Sequence, residues 1–349
     1  MGIKILYTGL ERENYDPNRG LSFEYTNFYS TLKNMPGILV TEFPFDPIVK
    51  KGRKKWNSEL IQLLKERKPD VLFAFMYTNE LDFDTLRFIR KETNTKSVAW
   101  FADDYWRFWN YSKYWPPYFD LAVTTYSKAL AWYGKRGCKN VILSQWACNT
   151  NLYKPVDVPK DFEVSFVGQW KPQRAGVINA LKDAGVKVQT FGYGWPGGKV
   201  SHEEMLRIFS RSKINLNLTG RASLFSPRVL ARILFKRSAQ RIVPDFHFIN
   251  NLRAYLHFSI PHTHARPFEL AGCRAFVISG FSEDIPRYYE EGKEMAFYRS
   301  PRDLVEKVKH YLAHDGERER IANAAYKRTL REHTYEKRFE DIFKNVGVV

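Results

Sequence analysis

Ten short apolar runs recur along this chain, most of them separated by stretches with helical spacing. Residues 3–9 (IKILYTG), 69–77, 96–103, 119–125 and 140–147 form a first series. Residues 162–168 (FEVSFVG), 187–194, 213–220, 274–281 and 294–300 form a second. Runs too short for helices, alternating with patterns such as NSELIQLLKER and QRAGVINALKDAG, predict parallel sheets built from βαβ units. Between the two series, NLYKPVDVPKD carries two prolines and no periodicity, the texture of a linker. At 349 residues the chain exceeds the size at which one core stops growing. The expected architecture is α/β, two Rossmann-like domains over 1–155 and 156–330 facing across a cleft. A helix over 331–349 is expected to pack back toward the first domain. Ligands of such sheets bind beyond the carboxyl ends of the strands.

A net charge of +17 attracts anionic lipid, DNA or phosphorylated small molecules, and does not choose among them. The three cysteines have no C-x-x-C spacing, which argues against a zinc site and fits a reducing compartment. No apolar run approaches the roughly 18 residues that span a bilayer, and MGIKILYTGL leads straight into a strand-like segment. A cytoplasmic protein is therefore expected, with peripheral attachment at the membrane inner face left open. The basic charge concentrates in an insertion over 221–264 that breaks the alternation. From Arg221 to Arg253 there are seven Lys or Arg against one acid, Asp245. Within it, SPRVLARILFKRSAQR predicts an amphipathic helix over 227–241, with Arg228, Arg232 and Lys236 on one side and Val229, Leu230, Ile233 and Leu234 on the other. Such a face suits an anionic membrane surface, DNA, or a solvated helix covering a core.

Several stretches could carry chemistry. In SFVGQWKPQR, Gly168 ends a strand and Lys171 and Arg174 flank a helix start, where backbone N–H groups and basic side chains attract an anion. The FGYGW segment places Tyr193 and Gly194 where a backbone can approach closely or a base can stack. Asn215 and Asn217 share one face of a strand, to hold a loop or to contact a ligand. AWFADDYWRF ends an apolar strand with two carboxylates: Asp103 suits general-base work, and Asp104 suits the N-cap of the next segment. In RPFELAGC, Glu269 either caps a surface helix or accepts the hydroxyls of a ribose, with Arg266 on phosphate. Spacing alone does not separate the two.

The stretches VSFVGQWKPQR, FGYGW, VSHEEMLRIFSRSKINLNLTG, RPFELAGCRAFVISGFSEDIPRYYEEGKEMAFY and HTYEKRFEDIF cover most of 162–345 apart from the insertion. They resemble the carboxyl-terminal domain of GT-B glycosyltransferases, most of all the family named after the spore maturation protein CgeB. Gly168, Arg174, Asn217, Arg266, Glu269 and the run His333-Thr334-Tyr335 fall where that family's pattern puts them. The resemblance implies that Glu269 binds the ribose of a nucleotide-sugar donor and that basic residues hold its diphosphate. Many members carry a second Glu eight residues before the first; this chain has Pro261 there. WFADD resembles the strand-end Asp that serves as base in phage DNA β-glucosyltransferase, another GT-B enzyme, which suggests Asp103 as base. The expectation is a metal-independent glycosyltransferase using a UDP-, GDP- or dTDP-sugar, with no bound cofactor. Asp103, Lys171 and Arg174 would be catalytic, and Gly168, Lys171, Arg174, Tyr193, Gly194, Asn217, Arg266 and Glu269 would bind the donor. The acceptor would be a cell-surface glycan, a lipid-linked molecule or a protein. The alternatives are a DNA-modifying glycosyltransferase and a non-catalytic basic binding protein on the same scaffold.

Overall fold

A computed structural model describes residues 2–219 and 224–349. They form two compact units. The described residues of Met1–Gln145, Ala222–Ile260 and Tyr335–Val349 make the first, and those of Trp146–Arg221 and Pro261–Thr334 the second. The insertion thus groups with the first unit, and the chain passes between units after Gln145 rather than at 155.

The first unit is built on a six-stranded sheet of β1 (Ile3–Thr8), β2 (Ile38–Glu42), β3 (Val71–Phe75), β4 (Lys96–Phe101), β5 (Leu121–Thr124) and β6 (Val141–Leu143), in the order β2-β1-β3-β4-β5-β6. All neighbours are parallel. Every residue of β3 is buried, as a strand covered on both faces must be, which is why its sequence is a continuous apolar run. The helix Arg53–Arg67 buries Trp56, Leu60 and Leu64 in the same core as Leu72 and Ala74. Phe28 sits 5.0 Å from Phe75 and 4.8 Å from Trp100, both edge-on, the preferred arrangement of aromatic quadrupoles. The last helix, Tyr335–Val346, brings Phe339 to 5.6 Å from Phe28 and 5.5 Å from Phe73. The sequence pattern did not reveal β2, an edge strand whose residues are half-buried or exposed and which therefore lacks a continuous apolar run.

The second unit repeats the plan with β7 (Phe162–Val167), β8 (Val188–Phe191), β9 (Ser212–Asn217), β12 (Val277–Gly280) and β13 (Ala296–Tyr298), all parallel, in the order β13-β12-β9-β7-β8. Two of its helices begin on serine caps. Ser201 accepts from Glu204 N at 3.1 Å ahead of the helix His202–Arg211, and Ser300 accepts from Asp303 N at 3.2 Å ahead of Pro301–Ala313. Leu304, Val308 and Ile321 share a core with Val164, Ile214 and Ile278.

The helix expected over 227–241 is not there. Pro227–Leu230 is one helical turn, followed by the 3-10 turn Ala231–Ile233. An antiparallel hairpin of β10 (Phe235–Ser238) and β11 (Arg241–Pro244) comes next, then the helix Phe248–His257. The basic stripe is dispersed accordingly. Arg228 is exposed and Lys236 lies in β10, while Arg232 is half-buried with its guanidinium 4.7 Å from the Trp106 ring and 4.4 Å from Phe258. Arg221 lies outside the described residues.

Candidate functional site

At the carboxyl ends of β7 and β8 two loops fit backbone to backbone. Gly168 N donates to Phe191 O at 2.9 Å, and Trp170 N donates to Tyr193 O at 2.8 Å. Gly192 has φ +118, and a Cβ there would collide with Gly168 O and lie 2.7 Å from its carbonyl carbon. Only glycine meets both demands. Tyr193 is 67 % exposed beyond this junction, with Lys199 Nζ 5.6 Å from its ring centroid, and Gly194 follows at φ +84.

The first of these loops delivers Lys171 to the N-cap position of the helix Pro172–Asp183. Pro172 at the first position removes one orphan N–H, and no side chain caps the rest, so the helix start keeps its partial positive charge. Arg174, one turn in, donates to Gln169 O at 2.8 Å and lies 5.4 Å from the Phe166 ring centroid. Desolvation holds its guanidinium below the usual arginine range, and Arg266 adds repulsion against the opposing influence of Tyr298. Solvent-exposed Lys171 is likewise held down by partial desolvation and by Arg174. His264 feels the same concentration of charge. Desolvation first, then His262, Arg174 and Lys171, push its imidazole well below the usual range, so it is neutral near pH 7. An anion bound among these groups would relieve both the desolvation and the mutual repulsion.

Glu269 lies in the first turn of the helix Arg266–Gly272 and is 4 % exposed. It is therefore not a solvated surface cap. Its carboxylate pairs with Arg266 Nη1 at 2.8 Å, and Arg266 also packs 5.3 Å from the Phe209 ring. The acid acts back on Cys273, whose thiol burial pushes up to about 12, with the charge of Glu269 contributing. On β9, Asn215 is committed to structure, donating to Phe209 O at 3.0 Å and accepting from Ser165 Oγ at 3.2 Å. Asn217, two residues on, donates to Ser279 Oγ at 2.8 Å on β12. Just past the strand end, Thr219 Oγ1 is buried with no hydrogen-bond partner among the described residues.

The second unit thus contains Gly168, Lys171, Arg174, Tyr193, Gly194, Asn217, Arg266 and Glu269, with Arg174 and Arg266 within electrostatic reach of each other. Asp103 belongs to the first unit, and at 103–104 the N-cap position falls to Asp103 and the buried position to Asp104. Asp103 occupies the N-cap position of the turn Asp104–Arg107 without a capping bond and is half-buried. Asp104 is the desolvated acid: fully buried, it accepts from Ser112 Oγ and from Tyr133 OH at 2.9 Å, and burial raises its carboxyl to about 6.

Three groups escaped the sequence reading. His264 and Tyr298 join the cationic cluster, and HTHARP, with a histidine two residues before Arg266, was the available signal for His264. Glu24, beyond the end of β1, is 8 % exposed and directly precedes a π-helical turn, Tyr25–Tyr29, a distortion frequent at functional sites. Burial raises its carboxyl to about 7, and Asp46 and Glu80 add to the shift. Among the described residues, His310, His314 and Glu317 group their side-chain ligand atoms within 4.8 Å of one another, at the turn between the helices Pro301–Ala313 and Asp315–Glu332.

Residues 245–344 match a family described as glycosyl transferase-like. No curated protein matches the chain in sequence. Solved structures similar to it include a sucrose-phosphate synthase from Thermosynechococcus elongatus, 9 % identical with a TM-score of 0.63, the match covering 99 % of each chain. The Anabaena protein HepE, solved in complex with UDP and glucose, is 11 % identical with a TM-score of 0.58, over 99 % of this chain and 100 % of that one. The lipopolysaccharide outer core galactosyltransferase WaaB is 14 % identical with a TM-score of 0.57, over 99 % of each. At such identities the likeness concerns the fold, which is GT-B: two Rossmann-like units, each with its own parallel sheet.

Proposed function

We propose that this chain is a glycosyltransferase that moves a sugar from a nucleoside diphosphate sugar to an acceptor hydroxyl. The carrying observation is the second-unit constellation. An uncapped helix start with Lys171 and Arg174, and a neutral His264 beside them, offers an anion site within electrostatic reach of the Arg266–Glu269 pair. The match of 245–344 to a glycosyl transferase-like family supports this reading, as does the fold. HepE, solved with UDP and glucose, supports a nucleotide-sugar donor, of which UDP-, GDP- and dTDP-sugars are the candidates.

In this account Glu269 accepts hydrogen bonds from the ribose hydroxyls, and Arg266 orients it. Tyr193 and Gly194 flank the base, and Gly168 and Asn217 border the donor at the strand ends. Lys171 and Arg174 stabilise the diphosphate as it leaves, so side chains supply the charge that a metal ion supplies elsewhere. A bond forms between the acceptor oxygen and the anomeric carbon, and the bond from that carbon to the β-phosphate oxygen breaks. The nucleoside diphosphate departs, and the acceptor proton passes to Asp103 in an inverting reaction. The test is release of nucleoside diphosphate from the donor by the full chain. The wild type releases it, and Lys171→Ala with Arg174→Ala abolishes release; release that survives both changes contradicts the assignment.

A further inference from the structure

The helix Phe248–His257 is turned inside out. Its buried positions hold Asn251 and Ala254, whereas Ile249, Leu252 and Leu256, which recur on one stripe, are 73, 47 and 57 % exposed. The polar side chains are the ones tied down within the first unit. Asn251 donates to Ile233 O at 3.1 Å and accepts from Asn110 Nδ2 at 3.0 Å, and Asn250 accepts from Lys113 Nζ at 2.9 Å. A helix facing only water has the opposite arrangement.

The helix is part of a wider surface. Ten of the twenty large hydrophobic residues exposed among the described residues fall within 225–256, among them Phe225, Ile242 and Phe246 at 87, 73 and 76 %. Apolar exposure concentrated like this marks a binding surface. Its charge says what binds. Arg228, Arg241 and Arg253 are exposed in the same segment, and the only acid in its described part, Asp245, is 3 % exposed and held by His247 at 2.6 Å and Lys236 at 3.6 Å. Hydrocarbon for the Ile, Leu and Phe side chains, bordered by phosphate for the arginines, is the composition of an anionic bilayer surface. No helix of the described residues is long and apolar enough to cross a membrane, which leaves attachment in the plane of the interface.

We propose that the segment 225–256 docks the first unit on an anionic lipid bilayer. This inference does not depend on the donor reading. The test is flotation of the full chain with phosphatidylcholine vesicles, with and without phosphatidylglycerol. Wild type floats with the phosphatidylglycerol vesicles and weakly with phosphatidylcholine alone. Ile249→Ser with Leu252→Ser and Leu256→Ser, at outward positions that the core does not use, raises the lipid concentration for half-binding about tenfold or more. Arg228→Gln with Arg241→Gln does the same for anionic vesicles by about tenfold. Nucleotide-sugar stabilisation measured on these variants, expected to be unchanged, separates this proposal from the fate of the donor site. Failure of wild type to float, or equal flotation of the Ser variant, overturns it. So does a wild-type dimer that the Ser variant converts to monomer, which would assign the face to a second copy. Duplex DNA binding lost in the Arg variant without any vesicle binding would assign it to nucleic acid.

Discussion

Arg266 donates to Glu269 across 2.8 Å within one turn of helix, and the carboxylate it holds is almost wholly shielded from water. A carboxylate in that position cannot lose its cation cheaply. Arg266→Ala is expected to destabilise the protein by about 2–4 kcal/mol, because it leaves a buried charge unpaired. Denaturant unfolding measures this. A loss below about 0.5 kcal/mol, the range of ordinary surface changes, would mean that the pair is a surface contact.

Two glycines near Arg174 predict opposite outcomes. Gly192→Ala meets both a positive φ and the Gly168 backbone, and should cost about 1–3 kcal/mol and weaken nucleotide binding. Gly176 lies within the helix Pro172–Asp183 with nothing within 4 Å of a Cβ, so Gly176→Ala should stabilise by about 0.5–1 kcal/mol. Thermal unfolding of the pair checks both signs.

The buried carboxyl of Glu24 makes stability depend on pH. Its folded pKa, about 7, exceeds the ordinary value of 4.5, so the folded state holds the proton more tightly than the unfolded one. The resulting penalty is absent below about pH 4.5, grows as pH rises and is complete above about pH 7. Glu24→Gln should therefore stabilise the protein at pH 8, by an amount on the order of 3 kcal/mol, and much less at pH 4. Equal effects at both pH values would contradict the desolvated environment.

The adjacent acids on the β4 loop should separate by variant. Asp103→Asn is expected to lower sugar transfer about 10²-fold or more at unchanged nucleotide affinity and stability, as loss of a general base does. Asp104→Asn should instead lower stability, since Asp104 accepts from Ser112 and Tyr133 in the core. Transfer at wild-type rate by Asp103→Asn would exclude it as base and leave Glu24, a buried acid of the first unit, as the next to test.

The ten apolar runs and the glycines that end several of them were enough to read two parallel sheets, because strands covered on both faces leave a continuous apolar signal. What was hidden depended on distant partners. The hairpin of β10 and β11 turns at Ala239, a non-glycine residue at φ +48, so no Gly or Asn announced it. The stretch before it kept helical spacing and invited a helix that ends near Ile233. Asp103 and Asp104 are adjacent acids with no local feature to tell them apart, and the partners of the buried one, Ser112 and Tyr133, lie 8 and 29 residues further along the chain. Glu24 is desolvated by tertiary packing that no motif records. For Glu269, the structure adds burial and the Arg266 partner to a first-turn position that spacing had already allowed.

Thermal unfolding of the full chain with UDP-, GDP- and dTDP-sugars, compared between wild type and Lys171→Ala with Arg174→Ala, tests the donor site most directly. At about 100 times its Kd a true donor stabilises the wild type by roughly 2.7 kcal/mol. One of these sugars is predicted to raise the wild-type melting temperature and to leave the double variant unmoved. No shift with any of them, or an equal shift in both proteins, would contradict a nucleotide-sugar site built on Lys171, Arg174 and Glu269.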